Sequence, residues 1–157
     1  MVDFNLKVYL DGTAGKSTWR EELAGKLGEF VDVYDIAKLD QTDDKNTKQK
    51  NNDEVILYTV TPEENISKNL FEMGKLVGTM PDKTILCILN GENGFVFNRE
   101  QYDALSEVVN EVNGKMPVFY NLDELSNFLN TIGKEHFDKA RRAYQKMCED
   151  CIPERCR

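Results

Sequence analysis

The segment Thr84-Ile85-Leu86-Cys87-Ile88-Leu89 is nearly all apolar and shows no alternation with polar residues. A strand that turns both faces to hydrocarbon must be covered on both faces, which is the setting of a central strand in a helix-flanked parallel sheet. Parallel neighbours need long crossover connections, usually helical, so the rest of the chain must alternate strand with helix. Leu6 to Leu10 reads as a first strand, broken by the glycine-containing run Asp11 to Lys16. A helix follows, with Thr18 and Glu21 spaced as a capping box and Trp19, Leu23 and Leu27 as its buried stripe. Phe30 to Tyr34 is a second strand. Asp40 to Asn52 has no aliphatic or aromatic side chain and reads as a loop or a solvated helix. Glu54 to Val60 is a third strand, and Thr61-Pro62-Glu63-Glu64 predicts a helix start whose stripe runs through Ile66, Leu70, Met73 and Val77 and ends near Gly78. After the apolar strand and the turn Asn90 to Gly94, a helix with Tyr102, Leu105, Val109 and Val112 on one face leads to a short strand at 117–120. The last helix starts near Leu122, with Leu125, Phe128, Leu129 and Ile132, then Phe137, Ala140, Tyr144 and Met147 on its apolar side. The expectation is a single α/β domain over 1–157: an open five-stranded parallel sheet with helices on both faces, flavodoxin- or Rossmann-like, with 122–157 as a helical extension of the same domain. Ligands of such sheets sit beyond the carboxyl ends of the strands, where the loop from Asp11 to Ser17 falls.

The balance of 28 acidic against 20 basic residues gives a net charge of -8. That sign disfavours a nucleic acid polymer or an acidic membrane as partner. A small nucleotide stays allowed, because local backbone amides can hold one phosphate. No basic region precedes a long apolar run, and no segment is long enough to span a bilayer, which predicts a cytoplasmic location. Cys87 lies inside the apolar strand and the other three cysteines crowd residues 148–156, unlike the spacing of a disulfide framework; reduced thiols are expected.

Gly12-Thr13-Ala14-Gly15-Lys16-Ser17 invites a phosphate-loop reading, but a Walker-type loop needs a glycine five residues before Gly15, and Leu10 stands there. The single histidine, His136, leaves no serine-histidine triad or histidine metal cage and reads as a surface residue. Cys148, Cys151 and Cys156 make three zinc ligands where a structural site needs four, so no metal is expected. Lys139, Arg141, Arg142 and Lys146 form the solvated face of a helix. Carboxylates are the remaining chemical resource: Asp11 after the first strand, Asp35 after the second, Asp53 before the third. Glu72 lies roughly 120° around its helix from the apolar stripe, on a flank shared with Asn65, Asn69 and Leu76; by itself this is the pattern of a solvated glutamate.

In order and spacing these blocks resemble the nucleoside 2-deoxyribosyltransferase superfamily, in its divergent branch. Tyr9-Leu10-Asp11-Gly12-Thr13 followed by Ser17-Thr18-Trp19-Arg20 is similar to that branch's amino-terminal signature. Asp53 is similar to an aspartate ahead of the third strand, and Ser67 to Gly74 is similar to the nucleophile motif, with its glutamate, apolar residue and glycine in Glu72-Met73-Gly74. The resemblance covers residues 5 to 90. It implies that Glu72 attacks the anomeric carbon of a nucleoside from the face opposite the base, forming a covalent glycosyl intermediate, and that a carboxyl group protonates the departing base. Asp53 is favoured for that role by motif, with Asp11 as the other candidate. Gly12, Thr13 and Ser17 would hold the sugar or its 5′-phosphate, and Tyr9 or Trp19 would form an apolar wall for the base. Asp35, Asn65 and Asn69 complete the candidate substrate-binding set. Where transferases carry an aspartate to hold the sugar hydroxyl, this chain has Asn65, Ile66 and Ser67; a serine there resembles the nucleotide N-hydrolases of the same superfamily, whose hydroxyls receive a 5′-phosphate. The resemblance further implies no cofactor, a small-molecule nucleoside or nucleotide as ligand, and a homo-oligomer. Two alternatives stand beside it: a non-catalytic nucleotide-binding module on the same fold, and a phosphotransferase using Gly15-Lys16-Ser17.

Overall fold

The computed structural model describes residues 2–13, 17–35, 43–63, 65–91 and 94–151. Five strands, β1 (Leu6–Gly12), β2 (Val31–Asp35), β3 (Val55–Val60), β4 (Thr84–Ile88) and β5 (Val118–Phe119), form one all-parallel sheet in the order β2-β1-β3-β4-β5. The five helices are α1 (Trp19–Lys26), α2 (Asp43–Asn52), α3 (Ile66–Thr79), α4 (Arg99–Val112) and α5 (Leu122–Asp150). The α/β class, the five parallel strands and the single domain are those the sequence predicts.

Alternation along the strands divides the core in two. Val8, Leu10, Leu57, Ile85 and Cys87 pack with Trp19 and Leu23 of α1 and Leu125 and Leu129 of α5. Tyr9, Ile56, Tyr58, Leu86 and Ile88 face the other way, onto Met73 and Leu76 of α3 and Leu105 and Val112 of α4. α2 lies on this second side, since its Lys50 reaches Tyr9 and Asp11. All residues of β3 and β4 are buried, as the unbroken apolar run of β4 requires.

Several details differ from the sequence reading. Residues 43–52 of the polar stretch are helix. The capping box at Thr18 does not form: the Thr18 hydroxyl donates to Glu22 Oε1 at 2.9 Å and makes no cap bond. α3 begins at Ile66 rather than beside Pro62: the Thr61 hydroxyl is buried with no partner among the described residues, its N–H is given to the Thr13 hydroxyl, 3.0 Å away, and Asn65 supplies the cap by accepting from the Ser67 N–H. Glu64, the expected capping-box residue, lies outside the described residues. α5 runs unbroken through Gly133, where a Cβ would stand 2.5 Å from Val31 Cγ2; glycine there lets the helix lie close on β2. Beyond it Phe137 contacts Phe4 and Phe30, and residues 141–150 are exposed. Among the described residues no helix is long and apolar enough to cross a membrane.

Candidate active site

The helix after β1 covers one face of the sheet and the helix after β3 covers the other, so neighbouring strands β1 and β3 part their connections at their carboxyl ends. In open α/β sheets this is the crevice that receives ligands. Two clusters of side chains meet there, one on each face.

The first is built around Gly12 and Thr13. Gly12 has φ +106°, and a Cβ on it would lie 1.9 Å from the Thr59 carbonyl oxygen, so no other residue fits. The Thr13 N–H donates to that same oxygen at 2.8 Å, and the Thr13 hydroxyl accepts from the Thr61 N–H. The Trp19 indole N–H donates to the Thr13 carbonyl at 2.7 Å. Arg20 donates to the same carbonyl and to that of Gly12, and its Nε stands 3.1 Å from Asp35 Oδ1, both side chains being almost wholly buried. These contacts join the ends of β1, β2 and β3 to α1. They also correct four sequence expectations. Thr13 and Trp19 have no exposed surface, so the hydroxyl is not offered to a sugar and the indole is core rather than a wall for a base. The Gly12 N–H is taken by Asp11 Oδ1, and the Asp35 carboxylate is engaged by Arg20. That arginine, quoted only within a motif, is the residue that organises this face.

The second cluster lies on the α3 side. In the parallel register Asp11 stands beside Tyr58, and paired neighbours in a sheet point to the same face. The Tyr58 hydroxyl is 2.6 Å from Glu72 Oε2 and 3.1 Å from Asn69 Oδ1. A phenol has one proton to donate, and the shorter contact to the carboxylate takes it. The Asn69 amide is buried, with its Nδ2 unpaired among the described residues; turned over, it would donate to the Tyr58 oxygen and complete a chain from amide to phenol to carboxylate. Asp11 accepts from the Gly12 N–H at 2.8 Å and pairs with the Lys50 ammonium at 2.6 Å. Lys50 also lies over the Tyr9 ring, which stacks on Tyr34. Burial, followed by the negative charge of Asp11, holds the Tyr9 phenol well above its ordinary pKa, so it stays protonated. Tyr9 is a buried residue under this cluster rather than a ligand wall. Glu72 is half-buried and reaches the cluster from the second turn of α3.

Asp53 does not join them. A residue directly before a parallel strand lies at its amino end, opposite the crevice, and Asp53 is five residues from Tyr58 along β3, roughly 16 Å at about 3.3 Å per residue. It is buried, accepts from Gln49 Nε2 at 2.7 Å and leaves Oδ2 without a partner among the described residues. Burial raises its pKa, opposed by the Gln49 hydrogen bond. It is therefore a desolvated carboxyl at the far end of the sheet, not the acid beside Glu72. Lys50, Tyr58 and Arg20 are the residues that sequence reasoning left out of the site; the polar stretch hid Lys50, and Tyr58 sits inside a strand that reads as plain core.

Asn65 and Ser67 are exposed at the start of α3, and Ser17 is half-buried just ahead of α1. Gly15 and Lys16, the heart of the phosphate-loop reading, lie outside the described residues, as does Cys156. His136 is half-buried rather than a free surface residue, its Nδ1 3.1 Å from the Phe4 carbonyl oxygen and its Nε2 3.7 Å from Glu54. Cys148 and Cys151 are exposed free thiols, and among the described residues no three metal-ligating side chains gather. An open cavity of about 440 Å3 lies away from Glu72, at the carboxyl ends of β4 and β5, with Glu22, Lys26, Asn90, Tyr120 and Asp123 in its walls. No family model matches the chain, and no curated protein matches it.

Proposed function

We propose that this chain cleaves or exchanges the N-glycosidic bond of a nucleoside or nucleoside monophosphate, with Glu72 as the nucleophile. The observation that carries the reading is the 2.6 Å contact of the Tyr58 hydroxyl with Glu72 Oε2, one strand away from the Asp11–Lys50 pair at the sheet's crevice. A glutamate held by one oxygen presents the other in a fixed direction, which is what in-line attack on an anomeric carbon needs. Glu72 forms the bond to that carbon as the carbon–nitrogen bond breaks, and the bonding pair leaves with the base. The base takes up a proton at the Asp11 side of the crevice, where the Lys50 ammonium on Asp11 Oδ2 is the adjoining proton source. Water or a second base then displaces Glu72 from the sugar, giving up its proton to the Lys50 amine as Glu72 leaves as the carboxylate. In this reading the exposed Ser67 and Asn65 at the start of α3 meet a 5′-hydroxyl or 5′-phosphate, a helix N-terminus being suited to an anion.

Incubating the protein with ribo- and deoxynucleosides and their monophosphates, and measuring free base, tests this reading. Base release is expected, falling on the order of a thousandfold or more in Glu72→Ala. No release from any substrate, or undiminished release by the variant, overturns it. A binding module without turnover is the second reading, favoured by the position of the 440 Å3 cavity away from Glu72; thermal stabilisation by a nucleotide without base release would select it.

A further inference from the structure

We infer that Lys83 is a positioning residue of the crevice: from the amino end of β4 it holds the last turn of α2, and so sets where the Lys50 ammonium stands. Lys83 closes the single 3-10 turn Pro81–Lys83 directly ahead of β4. Its Nζ donates to the Lys50 carbonyl at 2.9 Å and to the Asp53 carbonyl at 3.0 Å. The last bond of the α2 ladder runs from the Asp53 N–H to the Gln49 carbonyl at 2.9 Å, which leaves the carbonyls of residues 50 to 53 without a helical partner. Lys83 takes two of them. It also brings a positive charge to the end of the helix where the aligned peptide dipoles are negative.

α2 needs such an anchor. Its ten residues include no aliphatic or aromatic side chain, whereas a helix this short normally draws its stability from an apolar face packed on a core. Polar contacts at the last turn take the place of that face. Gln49 Nε2 donates to Asp53 Oδ1 at 2.7 Å, beside the two carbonyls that Lys83 holds. Lys50 is fixed at both ends, its carbonyl by Lys83 and its ammonium by Asp11 at 2.6 Å and by the face of the Tyr9 ring. A lysine stem is flexible, so the backbone from which it springs limits where the ammonium can go. Lys83 stands at the amino end of the sheet and Glu72 at the carboxyl end, so the influence of Lys83 on the crevice passes through Lys50. The kinetic consequence rests on the reading of Glu72 as nucleophile and Lys50 as proton source; the anchoring of α2 does not.

Brief acetylation of the full chain with limiting acetic anhydride, read by peptide mass spectrometry, tests the anchoring, with the exposed Lys75 as internal standard. Lys50, paired and largely buried, should react slowly in the wild type. Lys83→Met and Lys83→Gln should each raise its acetylation at least about fivefold relative to Lys75, whereas Lys83→Arg, which keeps a cationic donor, should stay near the wild type. Amide exchange over residues 43–52 should quicken in the same two variants, and that of α4 should not. Turnover is the second readout. Lys83→Met should lower kcat about tenfold with KM little changed, and should have no further effect in a chain that already carries Lys50→Met, a dependence that a general loss of stability would not show. Unchanged Lys50 acetylation in both Lys83→Met and Lys83→Gln, or the same loss of turnover with and without Lys50→Met, overturns the inference. A wild type that releases no base defeats the reading of Glu72 and leaves the acetylation to decide this one.

Discussion

The two sides of the β1/β3 crevice are built from neighbouring residues and serve opposite ends. On the α1 side, Gly12, Thr13, Trp19, Arg20 and Asp35 are engaged with one another: the carbonyls accept from Arg20 and Trp19, the Thr13 hydroxyl takes an N–H, and Arg20 meets Asp35 in a nearly buried ion pair. On the α3 side, Asp11, Lys50, Tyr58, Asn69 and Glu72 are linked but not used up. Glu72 is half-buried, Asn69 keeps an unpaired amide nitrogen among the described residues, and Lys50 and Asp11 retain accessible surface. One side is scaffold. The other has unspent hydrogen-bonding capacity, which is the property a reacting group needs. A single step along the chain, from Asp11 to Gly12, crosses from one to the other, because successive side chains of a strand face opposite ways.

The comparison can be broken at several points. The largest effect on turnover belongs to the α3 side, where Glu72→Gln should abolish base release while leaving thermal unfolding within about 1 kcal/mol of wild type, since a half-exposed glutamate contributes little to the core. The largest effect on stability belongs to the α1 side: Gly12→Ala must move the Thr59 carbonyl and leave the left-handed region, and should cost more than about 3 kcal/mol in denaturant unfolding. Arg20→Met, which takes the guanidinium away from the nearly buried Asp35 carboxylate, should cost about 3–5 kcal/mol, and Arg20→Met with Asp35→Leu should regain much of it. If the double variant is no better than the single, the pair is more than scaffold.

Smaller effects sharpen the contrast. Tyr58→Phe should slow turnover about tenfold at nearly unchanged KM, with about 1 kcal/mol lost from stability; an unchanged rate would mean that the hydroxyl only fills space. At the far end of the sheet, burial raises the Asp53 pKa above the ordinary aspartate value of about 3.9. The folded state thus holds the proton more tightly than the unfolded chain does, so this residue's contribution is full below that value and is lost as pH rises through the folded pKa. Asp53→Asn should flatten that dependence and raise the melting temperature at neutral pH by roughly 2–4 °C, with no more than a twofold change in turnover.

Much of this architecture can be read from the chain. The apolar runs at 55–60 and 84–88 place two of the three interior strands, and the stripe Leu70, Met73 and Val77 places α3. Which residues end up in the crevice is less legible. Asp53 and Asp11 look equivalent as carboxylates beside strands, but one precedes a parallel strand and the other follows one, which puts them at opposite ends of the sheet. Trp19 and Tyr9 read equally well as ligand walls, and only tertiary packing buries them. Lys50 sits in a stretch with no apolar periodicity, where nothing local signals that one ammonium folds back onto Tyr9 and Asp11. Thr61 and Thr18 carry capping chemistry in the sequence and use it for no cap: the Thr61 hydroxyl is buried without a partner among the described residues while its N–H goes to Thr13, and the Thr18 hydroxyl turns to Glu22.

The central claim is that Glu72 is a nucleophile held by Tyr58. Its most direct test is to treat the protein with a 2-fluoro-substituted nucleoside, whose fluorine slows the second step, and to map any added mass by peptide mass spectrometry. A glycosyl adduct is expected on the peptide containing Glu72, absent in Glu72→Gln and formed more slowly in Tyr58→Phe. Release of base with no adduct, or with the adduct on another residue, would contradict it.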